Sequence, residues 1–230
     1  MRILILGAAG EISRRFTKRI LNERQDELIL YARNGTRRLT RLKPKREKII
    51  DGDFTDWNIL VEAMEGVDIV YLNSLDSPAA TQQILNAMKI CEVDRLICSS
   101  ILGIYDELIA RYGHSYARIA GNTLVDHQKL SAEIIEQSGI NYTILRMTWL
   151  YNQRNNERYV LTQKSEPVRG RQVAREAVAR LLMDILADPE CYAQQSLGVA
   201  EPNADWTAQF YIDGTFRACD VRQQVLDEWK

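Results

Sequence analysis

Short apolar, β-branched runs alternate along the first two thirds of the chain with stretches whose apolar positions recur at helical spacing. The runs are RILIL (2–6), ELILYA (27–32), EKIID (47–51), DIVYLN (68–73), RLICSS (95–100) and NYTILR (141–146). Each is predicted to be a strand. Between them, Ile12, Phe16 and Ile20 fall every four residues in 11–23. Leu60 and Met64 do the same before Gly66, which is placed as a helix stop. Residues 77–93 open with Ser77 as an N-cap and Pro78 at the first helical position. Residues 124–139 form a further helical stretch ending on Gly139. Continuous apolar strands are buried on both faces. Alternated with helices, they predict a doubly wound parallel sheet covered on both sides, with right-handed crossovers.

The last third is less regular. Residues 158–170 read as an extended segment. Residues 172–190 read as a helix with Val178, Leu181, Leu182 and Ile185 on one side. Residues 195–202 are a late strand. The tail 205–230 has weak periodicity and is read as a final helix packed on the domain or on a second copy. The chain is expected to be one domain over 1–230. Its cofactor-binding core would span 1–150, with smaller substrate-side and C-terminal elements over 151–230.

Composition narrows the function. The chain has 230 residues, of which 46% are hydrophobic, so it can bury a sizeable core. Thirty Lys and Arg against 31 Asp and Glu leave a net charge of -1, which gives no global pull toward nucleic acid or an anionic membrane. No apolar run nears the roughly 18 residues of a membrane span. The four cysteines, Cys91, Cys98, Cys191 and Cys219, form no CxxC pair. Cys91 and Cys98 read as small core residues, and a reducing cytoplasm is expected. Two histidines, His114 and His127, are too few for a metal site.

The opening stretch LILGAAGEISRRF carries the first chemistry. A strand, a Gly7-x-x-Gly10 turn and a helix beginning near Glu11 form a phosphate cradle. Gly7 turns tightly out of the strand. Gly10 lets the backbone approach a pyrophosphate, and the helix start aims free N–H groups at it. Ser13 stands where the GxGxxG form has its third glycine, and is small enough for close helix–strand packing. Glu11 is expected to point to solvent. A glycine turn with no ligand is the competing reading.

The second strand ends in Arg33-Asn34, with Arg37 and Arg38 just beyond and no carboxylate at the strand end. A carboxylate there would bind the ribose hydroxyls of NAD. A guanidinium can instead pair with a 2′-phosphate, so NADP(H) is expected over NAD(H). The basic run from Arg41 to Lys48 reads as solvated surface.

With these residues in hand, the chain resembles the NmrA-like branch of the atypical short-chain dehydrogenase/reductases, which have a Rossmann-type fold. The resemblance covers roughly residues 1–200. It rests on LILGAAGEI, GDFTD, VDIVYLN, VDRLICSSILGIYDE, SGINYTILRMTWL and VAREAVARLLMDIL. It implies that Ala8, Ala9, Glu11 and Ile12 complete the first cofactor turn, and that Asp53 and Phe54 sit beside the adenine. Asp53 has a second possible role, as the turn before the next helix. Asn73, Ser74 and Leu75 would face the ribose and nicotinamide side. Ser99 and Ser100 would lie near the nicotinamide, with Met147, Thr148 and Trp149 around the carboxamide. Trp149 reads equally as core.

One departure sets the chemistry. Reductases of the wider superfamily carry Tyr-x-x-x-Lys on the helix before the sixth strand, where the tyrosine passes a proton to an alkoxide. Lys129 fits the lysine, but Val125 stands four residues earlier and cannot donate a proton. Lys129 is left to bond the ribose or to lie on the helix surface. His127 is the only nearby group titrating near neutral pH. The expected activity is hydride transfer from NADPH to a quinone, flavin or similar small acceptor, with the cofactor supplying the chemistry. Two rivals remain open at this point. One is an NADP(H)-sensing regulator passing its state to a protein partner through the surface of Tyr105 to Tyr116. The other is a reductase or epimerase with Tyr105 as proton donor and Ser100 beside it. The protein would be a monomer or homodimer.

Overall fold

In a computed structural model of the chain, residues 1–105, 107, 122–164, 166–168 and 170–203 are described. His114, Tyr116, Cys219 and the expected tail helix lie outside these residues. Six parallel strands come first: β1 (Arg2–Leu6), β2 (Glu27–Ala32), β3 (Glu47–Asp51), β4 (Ile69–Leu72), β5 (Arg95–Ile101) and β6 (Asn141–Met147). The intervening helices are α1 (Glu11–Glu23), α2 (Gly35–Arg38), α3 (Trp57–Met64), α4 (Pro78–Ile90) and α5 (Asn122–Gln137). Then come β7 (Trp149–Tyr151), β8 (Val160–Thr162), β9 (Gln172–Ala174), α6 (Arg175–Ala187) and β10 (Gln195–Ala200).

The main sheet has the order β3-β2-β1-β4-β5-β6-β10-β8, with β8 antiparallel to β10 and the other neighbours parallel. The chain runs outward from β1 to β3, then crosses back to place β4 on the other side of β1. This is the strand order whose reversal point, between β1 and β4, opens a crevice at the strands' carboxyl ends.

Alternate residues of each strand supply two core layers. Ile3, Ile5, Tyr71 and Leu145 pack with Phe16 and Ile20 of α1 and with Val178, Leu181, Leu182 and Ile185 of α6. Leu4, Leu6, Val70 and Ile144 pack with Leu60 and Met64 of α3, Ile84 and Met88 of α4, and Ile135 of α5. Ser77 caps α4 as expected, accepting from Ala80 N at 3.2 Å.

Two expectations are corrected. Residues 172–174 are strand, not the start of a helix. Gln172–Ala174 pair with Trp149–Tyr151, and the helix begins only at Arg175. The basic run 41–48 is also not all idle surface. Lys43 Nζ donates to Leu21 O, while Arg46 donates to Leu21 O (3.2 Å) and Asp26 O (2.8 Å). Both satisfy carbonyls at the C-terminal end of α1, which has no basic residue in its own last turn.

Candidate functional site

Where β1 ends, Gly7 adopts φ +80°, a left-handed conformation that L side chains rarely adopt. The chain then turns through Ala8 and Ala9 into α1. Gly10 is the N-cap and has no side chain to cap the helix. The first N–H groups of α1 therefore have no side-chain cap, as an anion site at a helix start requires.

Ser13 is fully buried and shows why a serine fits the third-glycine position. Its Oγ lies 3.0 Å from Gly7 O and 3.0 Å from Asn73 Oδ1. Tyr71 donates to the same Asn73 oxygen (3.3 Å) and shares a 2.7 Å bond with Ser99 Oγ. A hydrogen-bonded chain thus ties the glycine turn to the ends of β4 and β5. Asn73 fills the space beside both glycines. A Cβ at Gly10 would lie 2.6 Å from Asn73 Nδ2, and one at Gly7 3.1 Å from Asn73 Cβ.

A cleft of about 500 Å³ opens over this turn, within the range of small-molecule sites. Gly7, Ala9, Gly10 and Asn73 line its floor. Arg33, Arg38, Asp53 and Phe54 reach it from the β2–β3 side of β1, and Ser74, Asp76 and the start of α4 from the β4 side. Arg33 is exposed, with Nε 3.6 Å from Asp53 Oδ2. The short α2 brings Arg38 back to the cleft, where Arg14 Nη2 donates to Arg38 O at 2.7 Å. Asp53 fills its turn role, accepting from Thr55 N and Thr55 Oγ1, both at 3.1 Å. Phe54 stacks on Tyr31, with ring centroids 5.9 Å apart. Tyr31 OH holds Asp53 O at 2.6 Å; burial lifts its pKa to about 12, with the Asp56 and Asp53 carboxylates adding to the shift.

The structure does not bring every expected residue to this cleft. Glu11 faces solvent and pairs with Arg15 at 2.6 Å; that hydrogen bond holds its carboxyl below the usual range. Ile12, Leu75 and Met147 are buried among core side chains. Thr148 Oγ1 donates to Val199 O at 3.2 Å. Trp149 packs with Leu102, Val168 and Ala200. Ser99 is committed to Tyr71.

Lys129 and Tyr105 also lie outside the lining of this cleft. Lys129 is exposed and is not among the residues lining the cleft. The neighbouring Gln128 turns inward instead, with 2% exposure. Gln128 Oε1 accepts from Ser100 Oγ (2.9 Å) and Ile101 N (3.1 Å). Tyr105 OH donates to Glu136 Oε1 at 2.7 Å. Glu136 lies eight residues beyond Gln128 on α5, about 12 Å along the axis at ~1.5 Å per residue. Burial raises the Tyr105 hydroxyl far above the ordinary tyrosine value, and Glu136 adds to the shift. His127 Nδ1 lies 3.1 Å from Asp76 O. Asp76, which lines the cleft, was missed, as was Gln128, which holds Asp76 from outside the lining; Arg38 was named only as a neighbour of Arg33. Arg38 sits on a helix too short for periodicity, and Gln128 differs from Lys129 by a single helical step.

A doubly wound sheet with a glycine turn at its reversal point, an uncapped helix start and an arginine-lined end defines a dinucleotide-binding protein of the Rossmann type. The chain belongs to the NAD(P)H-binding family, whose profile matches residues 7–189. It is similar to a short-chain dehydrogenase/reductase from Veillonella parvula solved in complex with NADP. That protein is 28% identical, with a TM-score of 0.87 over 91% of this chain and 99% of the other. A Rossmann-fold NAD(P)-binding family protein from Shigella flexneri is 33% identical, with a TM-score of 0.76 over 91% and 98% of the two chains. A curated relative, the photosystem II assembly factor Ycf39 of Cyanophora paradoxa, is 25% identical over 158 residues. That match spans 64% of this chain and 45% of the relative.

The residues fit the implied cofactor. Gly7, Ala9, Gly10 and the α1 N-terminus would hold the pyrophosphate, and Arg33 and Arg38 the adenosine end. The cofactor would supply a transferable hydride. No helix among the described residues is long and apolar enough to cross a membrane.

Proposed function

We propose that this protein is an NADP(H)-dependent reductase whose hydride acceptor takes its proton from water. Quinones and flavins are the acceptor class, because their reduced forms delocalise charge. The observation that carries this reading is Gln128. The α5 side chain that faces Ser100 is an amide, with no proton to release near neutral pH. Ser100 Oγ donates to Gln128 Oε1, so its own proton is committed. Tyr105 is held by Glu136 far along the helix. Arg33 and Arg38 at the cleft's end support NADP(H) over NAD(H). Among the described residues Cys91, Cys98 and Cys191 are free thiols, in keeping with a reducing compartment such as the cytoplasm.

The test is NADPH oxidation against quinones, flavins and small carbonyls, with alcohol oxidation by NADP run alongside. Quinone or flavin reduction is expected, with negligible turnover of simple secondary alcohols. Positioned general acids contribute ~10²–10⁴-fold, and that factor is what alcohol chemistry would lack. Robust alcohol dehydrogenation lost in Tyr105→Phe would overturn the reading. Tight NADPH binding with no acceptor reduced would overturn it in favour of a sensor.

A further inference from the structure

The turn between β4 and α4 carries a carboxylate with an open oxygen. Asp76 lines the same cleft as Gly10 and Asn73. Its Oδ1 accepts from Ser74 Oγ and from Gln128 Nε2 (2.7 Å). Gln128 has no freedom to turn over. Its Oε1 takes the main-chain N–H of Ile101, which can only donate, so Nε2 must be the atom facing Asp76. The carboxylate is therefore held by a buried amide that is itself fixed to β5. Its second oxygen, Oδ2, has no hydrogen bond among the described residues, and the side chain is exposed.

The place of Asp76 along the cleft follows from the strand order. Arg33, Asp53 and Phe54 belong to the β1–β2–β3 half. Asp76 is tied through Gln128 to β5 in the other half. A dinucleotide lying across the reversal point puts one nucleotide in each half. With the adenosine at the arginines, the nicotinamide nucleotide falls on the side of Asp76.

We propose that Asp76 sets the redox bias of the bound cofactor, its carboxylate favouring the oxidised nicotinamide over the reduced one. This rests on the cofactor reading given above. The cofactor would supply a hydride, its C–H electron pair passing with the hydrogen to the acceptor, which would be reduced by two electrons and take its proton from water; the nicotinamide left behind would be cationic. A fixed negative charge on that side of the cleft stabilises the cation and does nothing comparable for the neutral ring. Held by Gln128, the charge needs no reorganisation as the hydride departs.

Asp76→Asn removes the charge and keeps both the size and the oxygen that Ser74 and Gln128 use. NADP+, NADPH and adenosine 2′,5′-bisphosphate are titrated into the full chain by calorimetry. The variant is expected to lose roughly three- to fivefold in affinity for NADP+, the scale of one solvent-screened charge interaction. NADPH is expected to hold within about twofold, and the bisphosphate, which has no nicotinamide, to bind unchanged. Asp76→Glu, which keeps the charge, is expected to stay near the parent's ratio of NADP+ to NADPH affinity. Equal losses for NADP+ and NADPH, or no loss for either, overturn the proposal. A parent chain that binds neither nicotinamide form overturns the cofactor reading itself, and is told apart because it needs no variant.

Discussion

Replacing Arg146 with Met is expected to destabilise the fold by about 3–5 kcal/mol, the scale for breaking a buried ion pair from one side. Arg146 is fully buried on β6, and its Nη1 donates to Glu107 Oε1 at 2.7 Å. Nη2 donates to Gln163 O (3.1 Å) and Ser196 O (3.2 Å), and the guanidinium carbon lies 5.2 Å from the centre of the Tyr105 ring. Glu107 in turn accepts from the main-chain N–H groups of Gly103 (3.0 Å) and Tyr105 (2.9 Å). Removing the arginine leaves a carboxylate whose side chain is 1% exposed without its counter-charge. The segment after β5 then loses its anchor. Paired replacement, Arg146→Met with Glu107→Gln, is expected to recover most of the loss, since neither charge is then stranded. Urea unfolding of the three variants measures this. A single-variant loss below about 1 kcal/mol would mean that water or a rearranged side chain reaches the pair.

Gly10→Val is expected to abolish measurable cofactor binding, a loss on the order of 100-fold or more for a displaced set of charge-assisted phosphate contacts. Backbone strain is not the cause, because Gly10 has φ -70° and ψ 156°, open to any residue. The added side chain strikes the Asn73 amide, which a Cβ alone would approach to 2.6 Å. Asn73 must then leave its bonds to Ser13 and Tyr71, or the turn must lift into the space meant for the pyrophosphate. Either way the cradle is lost while the sheet, built from other residues, persists. Circular dichroism should show a folded protein, and calorimetry with NADPH should show no heat of binding. A folded variant with parent-like affinity would place the phosphates elsewhere.

The parts of the molecule legible in the sequence are those fixed by local periodicity. β1, β2, β3 and α1 fall where their apolar patterns put them: β1 and β2 are buried on both faces, the edge strand β3 packs Ile49 and Ile50 against the two core layers, and α1 is strongly amphipathic. Gly7 and Gly10 were legible for a similar reason: a strand, a turn and a helix start adjoin in sequence. What periodicity could not supply was the inward stripe of α5. Its buried positions are Gln128, Ser131, Ala132 and Ile135, spaced as one helical face but half of them polar. The apolar signal was therefore incomplete, and Lys129, one step round the helix, stood out on motif spacing alone. Residues 172–174 misled in the opposite way. Their residues suit a helix start, but β7, more than twenty residues earlier, pairs with them as strand. Arg146 read as an ordinary strand end, since nothing local reveals the Glu107 partner.

The central claim is that the cleft between β1 and β4 holds NADP(H), read by the arginine-lined end. Calorimetric titration of NADPH and NADH into the parent chain and into Arg33→Asp tests it most directly. Arg33 is exposed, so its contact with a 2′-phosphate should give a preference of about tenfold. NADPH is expected to bind tighter than NADH by that factor in the parent, and the gap to close in the variant. Equal affinities in the parent, or a preference untouched by the substitution, would contradict the account.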